Sequence, residues 1–212
     1  MKNKGILPNC VTYNSVIQGT CNLMQWKEAT RLCNEMVAMN TLPDIVSFNI
    51  LVDALCKEGL VSDAEVVVDM MIQRGEQLDM ITYNSLMDGY CLRSQMDEAN
   101  KVFDLMISKG ISPNVRSYNI LINGYCKLCI GGQLLQAVRF SDQMVERGCK
   151  PDAFTSNTIV TGLCKMGNTN LAVKLLKKME QRGVKPGLFT YNPITDSLGK
   201  DKLITDAFNL LS

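Results

Sequence analysis

Apolar side chains recur along this chain at helical spacing, in paired stripes with short polar stretches between them. Tyr83, Leu86, Met87, Tyr90 and Cys91 fall at i, i+3, i+4, i+7 and i+8, one face of an amphipathic helix. A second stripe follows at Ala99, Val102, Phe103 and Met106, spaced i, i+3, i+4 and i+7. Arg93-Ser94-Gln95-Met96-Asp97 between them reads as a short polar connection. Gly110 and Pro113 end the second helix, as Gly75, Gly148 with Pro151, and Gly183 with Pro186 do elsewhere. The pattern predicts a helical hairpin.

That hairpin repeats. Cys21, Cys56, Cys91, Cys126 and Cys164 are separated by 35, 35, 35 and 38 residues, and Ala29, Ala64, Ala99, Ala137, Ala172 and Ala207 keep the same step. Met36, Met71, Met106, Met144 and Met179 form a third column. Val11-Thr12-Tyr13-Asn14 returns as Val46-Ser47-Phe48-Asn49, Ile81-Thr82-Tyr83-Asn84, Arg116-Ser117-Tyr118-Asn119, Phe154-Thr155-Ser156-Asn157 and Phe189-Thr190-Tyr191-Asn192. The frame is therefore 10–44, 45–79, 80–114, 115–152, 153–187 and a partial sixth repeat, 188–212. Residues 1–9 read as the remnant of a preceding repeat, since Gly5-Ile6-Leu7-Pro8-Asn9 parallels Gly110-Ile111-Ser112-Pro113-Asn114. One hairpin leaves apolar surface uncovered, whereas hairpins stacked side by side share a continuous core. The fold expected is all-α: a right-handed α-solenoid of tandem 35-residue helix-turn-helix repeats.

Two irregularities carry their own expectations. Repeat 4 has three extra residues around Leu128–Gly132, between its helices, where an insertion costs least. Pro193 biases Asn192 away from helical geometry, so the last repeat is expected to be distorted. The ends look cut, with Leu210-Leu211-Ser212 falling inside a second helix. Uncapped solenoid ends predict self-association or a longer parent protein.

Composition then removes whole classes of chemistry. The 212 residues include no His, which excludes His triads, His general bases and His-ligated metals. Lys and Arg total 22 against 21 Asp and Glu, so any polyanion site has to arise from local arrangement. No apolar run reaches the roughly 18 residues of a membrane span, and residues 1–8 show no signal or transit pattern. Of the nine cysteines, five share the column beside the apolar stripe, where a small buried side chain suits a helix contact. Cys126-Lys127-Leu128-Cys129 is a lone C-x-x-C with no second pair, so neither zinc nor disulfides are expected, and a reducing compartment is.

The 35-residue hairpin with Val-Thr-Tyr-Asn, Gly124-Tyr125-Cys126-Lys127, Glu98-Ala99, a Met column and Gly-Ile-x-Pro-Asn resembles the pentatricopeptide repeat (PPR) family. It looks like the P type, and the Gly-Tyr-Cys-Lys phrase looks like plant members, including the fertility-restorer-like group. The Trp-Leu-Gly-Tyr pattern of tetratricopeptide repeats does not recur. The resemblance implies a sequence-selective, single-stranded RNA binder without a cofactor or catalytic chemistry, acting in mitochondrial or chloroplast RNA processing, stability or translation. RNA editing by a zinc deaminase needs H-x-E and P-C-x-x-C signatures, which are missing here. A scaffold holding a peptide on its concave face is the competing reading.

Residue roles follow from the same resemblance. Asn14, Asn49, Asn84, Asn119, Asn157 and Asn192 would pair with pyrimidine edges, against the plainer reading of a hydrogen-bond ladder between repeats. The last residue of each repeat, Asp44, Asp79, Asn114, Asp152 and Gly187, would be the second reading position, although Asp or Asn ahead of a helix is also a preferred N-cap. Repeats 1 to 4 then read U-U-C/U-U from 5′ to 3′, with the insertion leaving Asp152 the least secure, and repeat 5 prefers a pyrimidine. Val11, Val46, Ile81, Arg116, Phe154 and Phe189 would sandwich bases, with core packing as the alternative for the aliphatic ones. Lys57, Lys127, Lys165 and Lys200 would contact phosphates, while Asn22 and Leu92 break that column. Changing Asn49 to Thr is expected to alter base preference with little loss of melting temperature.

Overall fold

The structure is a computed structural model that describes residues 8–128, 133–181 and 186–200. Its described residues form eleven α-helices and no strand. They are α1 (Cys10–Asn22), α2 (Trp26–Ala38), α3 (Ile45–Lys57), α4 (Val61–Gln73), α5 (Met80–Leu92), α6 (Met96–Ser108), α7 (Val115–Leu128), α8 (Gln133–Glu146), α9 (Ala153–Lys165), α10 (Thr169–Gln181) and α11 (Leu188–Lys200). The chain divides into two compact units, Met1–Ile111 and Ser112–Ser212. In unit 1 the odd-numbered helices pack side by side, α1 on α3 and α3 on α5, and each carries its own second helix. Unit 2 repeats the plan, with α7 on α9 and α9 on α11. Each unit is a stretch of all-α helical-repeat solenoid.

The stripes become the core. In repeat 3, Tyr83, Leu86, Met87 and Tyr90 of α5 and Ala99, Phe103 and Met106 of α6 are buried. The Met column is sealed throughout: Met36, Met71, Met106 and Met144 are fully buried, and Met179 nearly so. The boundary between α5 and α6 differs slightly from the sequence reading. Met96 is buried and opens α6, so the polar connection is shorter than expected.

First helices begin on a side-chain cap. Asn9, Asp44, Asp79 and Asp152 all have extended backbone and accept the backbone N–H of a first-turn residue of α1, α3, α5 and α9. Asn114 does the same for α7, accepting from Ser117 N at 3.0 Å. Second helices α2, α4 and α6 start on Gln25, Leu60 and Gln95 without a side-chain cap, and are held instead by their buried stripe. At the close of α6, Gly110 takes φ +78° and the Ile111 N–H bonds the Met106 carbonyl at 3.1 Å, a Schellman-type stop.

The cysteine column is a packing device. A Cβ on Gly89 would lie 2.8 Å from Cys56 Cβ, and one on Gly162 would lie 3.1 Å from Cys126 Sγ. Each thiol therefore seats against a glycine of the following repeat's first helix, and Cys21 shares a core cluster with Ala54 at the same register. Burial raises the Cys21 thiol to about 11, helped by Cys33, and the Cys56 thiol to about 12, helped by nearby carboxylates. The eight cysteines among the described residues are free thiols.

Pro193 does not break its helix. α11 runs the full thirteen residues from Leu188 to Lys200 with Pro193 inside, contrary to the expected distortion. Thr190, Ile194 and Leu198 are buried, which anchors one side of α11, and the Thr195 hydroxyl bonds the Tyr191 and Asn192 carbonyls at 3.2 and 3.0 Å. The expectations for the remnant before Pro8, the insertion at 129–132, Gly183 and the second helix of repeat 6 fall outside the described residues. Asp152 nevertheless caps α9 as Asp44 caps α3, so the insertion leaves that position in register.

Candidate nucleic-acid interface

The Asn column forms a ladder inside each unit. Ser47 Oγ donates to Asn14 Oδ1 and Thr82 Oγ1 to Asn49 Oδ1, each at 2.6 Å. In unit 2, Thr155 Oγ1 donates to Asn119 Oδ1 at 2.6 Å, and Thr190 Oγ1 donates to Asn157 Oδ1. Every such bond joins one repeat to the next, so the amide oxygen is committed to the fold. Asn14 and Asn49 are correspondingly buried in unit 1, Asn84 is buried with no hydrogen-bond partner for its Oδ1 among the described residues, Asn119 and Asn157 are half-buried, and Asn192 is exposed.

The amide nitrogen has a second partner, the residue that closes the repeat. Asn14 Nδ2 donates to Asp44 Oδ1 at 3.3 Å, and Asn49 Nδ2 lies 3.1 Å from both oxygens of Asp79. Those two oxygens sit too close together to take both N–H bonds of one NH2 group, so a single forked N–H spans them. Asp79 Oδ1 also accepts from the Ile81 and Thr82 backbone, which leaves Oδ2 less engaged. Burial pushes the Asp44 carboxyl up, but the Ser47 backbone N–H, the Cys10 thiol, the Ser47 hydroxyl and the Asn14 amide outweigh it and hold it at about 2. Burial also acts against ionisation of Asp152, and the Thr155 backbone and hydroxyl with the Asn119 amide again lower it. Both carboxylates are charged at neutral pH. Asp44, Asn114, Asp152 and Gly187 are exposed and Asp79 is half-buried, so helix caps here also face solvent.

Each unit also carries exposed side chains near the start of its first helices, Val11, Val46 and Ile81 in unit 1 and Arg116, Phe154 and Phe189 in unit 2. The five other than Arg116 are 51–83% exposed. None of the six is a core residue, which removes the packing alternative for the aliphatic members. The lysines at the far end of the first helices are all exposed. Lys57 Nζ pairs with Asp53 at 2.6 Å and Lys200 Nζ with Asp196 at 2.7 Å, both i, i+4. In unit 2 these elements converge on a groove of about 720 Å³ lined by Lys127, Lys165, Asn157, Asn192, Phe154 and Phe189, among others.

The hydroxyl column went unread as a functional element. Thr12, Ser47, Thr82, Ser117, Thr155 and Thr190 stand two residues before each Asn, and the signal was present in the repeated Thr/Ser of the tetrad. Ser47, Thr82, Thr155 and Thr190 donate to the Asn of the preceding repeat, a bond that the order of residues along the chain does not reveal, while Thr12 and Ser117 bond the caps Asn9 and Asn114. Among the described residues there is no cluster of potential metal ligands and no helix long and apolar enough to cross a membrane.

Comparisons with known proteins place this geometry. The model of the PPR repeat family matches residues 8–57, 43–91 and 78–127, and PPR repeat models match 116–149 and 147–180. No curated protein matches the sequence. Among solved structures, the pentatricopeptide repeat protein PPR10 from maize is 32% identical with a TM-score of 0.82, over 96% of this chain and 29% of that one. PPR10 in complex with an 18-nt psaJ RNA element gives 31% identity and 0.78, over 96% and 30%. The PPR domain of Arabidopsis thaliana protein-only RNase P 1 in complex with tRNA shares the fold at 20% identity and 0.62, over 76% and 83%. The chain thus spans under a third of the length of PPR10.

Proposed function

Because this chain belongs to the PPR repeat family, we propose that it binds single-stranded RNA with one nucleotide per repeat, preferring pyrimidines, and acts in organellar RNA processing, stability or translation by occupying its target. The observation that carries the reading is an amide donor standing beside a carboxylate acceptor, the Asn49 nitrogen 3.1 Å from both oxygens of Asp79, next to exposed Val46. Uracil offers a carbonyl acceptor next to its N3–H donor, which complements an amide donor beside a carboxylate acceptor. Cytosine sets a lone pair at N3 against the same carboxylate. Repeats 1, 2 and 4, with Asp44, Asp79 and Asp152, therefore favour U. Repeat 3 takes C or U, because the Asn114 amide both donates and accepts. The complex of PPR10 with an 18-nt RNA element supports RNA as the ligand.

The exposed side chains supply the contact energy and the lysines the phosphate contacts. Stacking on an aromatic side chain contributes roughly 1–3 kcal/mol per base regardless of sequence, so the ladder supplies selectivity more than affinity. The test is a titration with oligo(U) and oligo(A) of equal length, where oligo(U) binds more tightly. Asn49→Thr shifts preference toward a purine at one nucleotide. It also costs some stability, because Thr82 loses its Asn49 acceptor. That hydroxyl can turn to Asp79 Oδ1 at 3.1 Å, which keeps the loss near the lower end of the ~1–3 kcal/mol for an orphaned buried donor. Indistinguishable isotherms for the two oligonucleotides, or none, overturn the reading.

A further inference from the structure

We infer that repeat 5 is a base-tolerant anchor, a nucleotide site that grips any base between Phe154 and Phe189 while the Asp-bearing repeats choose among bases. The inference rests on the RNA reading above. Three differences between repeat 5 and repeat 2 lead to it. Repeat 2 places aliphatic Val46 and Ile81 at the exposed positions, whereas repeat 5 is flanked by two phenylalanines, 56% and 83% exposed, that line one groove. Every base presents a π-face, so an aromatic pair rewards all four bases alike. Lys127 and Lys165 line the same groove and have no ion pair among the described residues, while Lys57 of repeat 2 is tied to Asp53.

The third difference removes selectivity. Gly187 stands where repeats 1, 2 and 4 have a carboxylate, and it brings no acceptor. Asn157 lines the groove, and because its Oδ1 already accepts from Thr190, its NH2 is the group left to meet a base edge. An acceptor for that donor exists on every Watson–Crick edge: O2 or O4 of uracil, N3 or O2 of cytosine, N1 of adenine and O6 of guanine. Nothing at repeat 5 rewards the N3–H of uracil over the others. This replaces the pyrimidine preference that Asn157 alone would imply.

The site also offers a substitution with room to spare. A Cβ on Gly187 meets nothing within 4 Å among the described residues, and its φ lies outside the left-handed region. Gly187→Asp therefore fits without strain and adds a good N-cap ahead of α11. The experiment measures binding of the whole chain to a U-rich oligonucleotide, exchanging U for A at one nucleotide at a time, for wild type, Phe189→Ala and Gly187→Asp. In wild type the exchange opposite repeat 2 weakens binding about tenfold, as for a lost pair of base-edge hydrogen bonds, and the exchange three nucleotides 3′ of it weakens binding less than about threefold. Phe189→Ala weakens every oligonucleotide by about tenfold and leaves the ranking intact. Gly187→Asp makes repeat 5 discriminate about as strongly as repeat 2. Wild-type discrimination at repeat 5 equal to that at repeat 2 overturns the inference and leaves RNA reading standing, as does a Phe189→Ala variant that binds like wild type. Loss of discrimination at both positions overturns the RNA reading, and this inference with it.

Discussion

Asp44 combines two jobs in one carboxylate. It caps α3, accepting the Ser47 N–H at 2.9 Å, and it takes the Asn14 amide from the repeat's own first helix. Because its folded-state pKa of about 2 lies below the ordinary value of about 3.9 for aspartate, its contribution is complete above that ordinary value and fades as pH falls toward 2. Asp44→Ala accordingly costs about 1 kcal/mol at neutral pH, the usual worth of an N-cap, or roughly 2–4 °C in melting temperature for a chain of this size. Thermal melts of both proteins at falling pH check this: the gap narrows below about pH 4. A gap that stays constant down to about pH 3 would mean that the Asp44 charge contributes nothing to the cap. The exposure of Asp44 keeps the effect modest, since solvent screens its charge.

At the scale of the helix, the contact between first helices rests on a thiol meeting a hydrogen atom. Gly89→Ala drives a methyl to 2.8 Å from Cys56 Cβ and 2.9 Å from its Sγ, between α3 and α5, so something there must shift. The expected loss is about 1–3 kcal/mol, the range for overpacking a filled core. Gly19 holds the same register in α1, yet a Cβ there meets nothing within 4 Å among the described residues. Gly19→Ala therefore gains roughly 0.5–1 kcal/mol from helix propensity alone. Denaturant melts of the two variants have opposite signs on this account, and a stabilised Gly89→Ala protein would remove the close contact as the reason for the glycine. The Cys column and its 35-residue step were plain in the sequence, because a buried position repeated once per hairpin leaves a periodic trace. Its glycine partner was not, because which residue of the next repeat it meets is decided by helix packing. Pro193 misled for a related reason: local preference counted against α11, and the buried side chains Ile194 and Leu198 outweighed it. The Asn column was legible as a candidate, but its burial and its committed oxygen needed the Ser and Thr hydroxyls of the neighbouring repeat.

For the whole molecule, charge decides how binding responds to salt. A net charge of +1 gives no long-range pull on RNA, so affinity depends on the few cations along the first helices. Lys127 and Lys165 face the groove without an ion pair among the described residues, whereas Lys57 and Lys200 hold Asp53 and Asp196. Exposed pairs of that kind are worth only about 0–1 kcal/mol, so a phosphate can capture either lysine. With each single-strand phosphate contact adding about 0.7 to the slope of log K against log salt, four contacts set a limit near −2.8 and two near −1.4. The expected slope lies between them. Replacing both Lys127 and Lys165 by Ala reduces its magnitude by about 1.4, while base preference stays as it was, because phosphates carry no sequence information. Binding isotherms over a series of salt concentrations measure both quantities at once. A slope near zero would place an uncharged or protein ligand on this face, and a change in base preference in the double variant would mean that the lysines help to orient the bases.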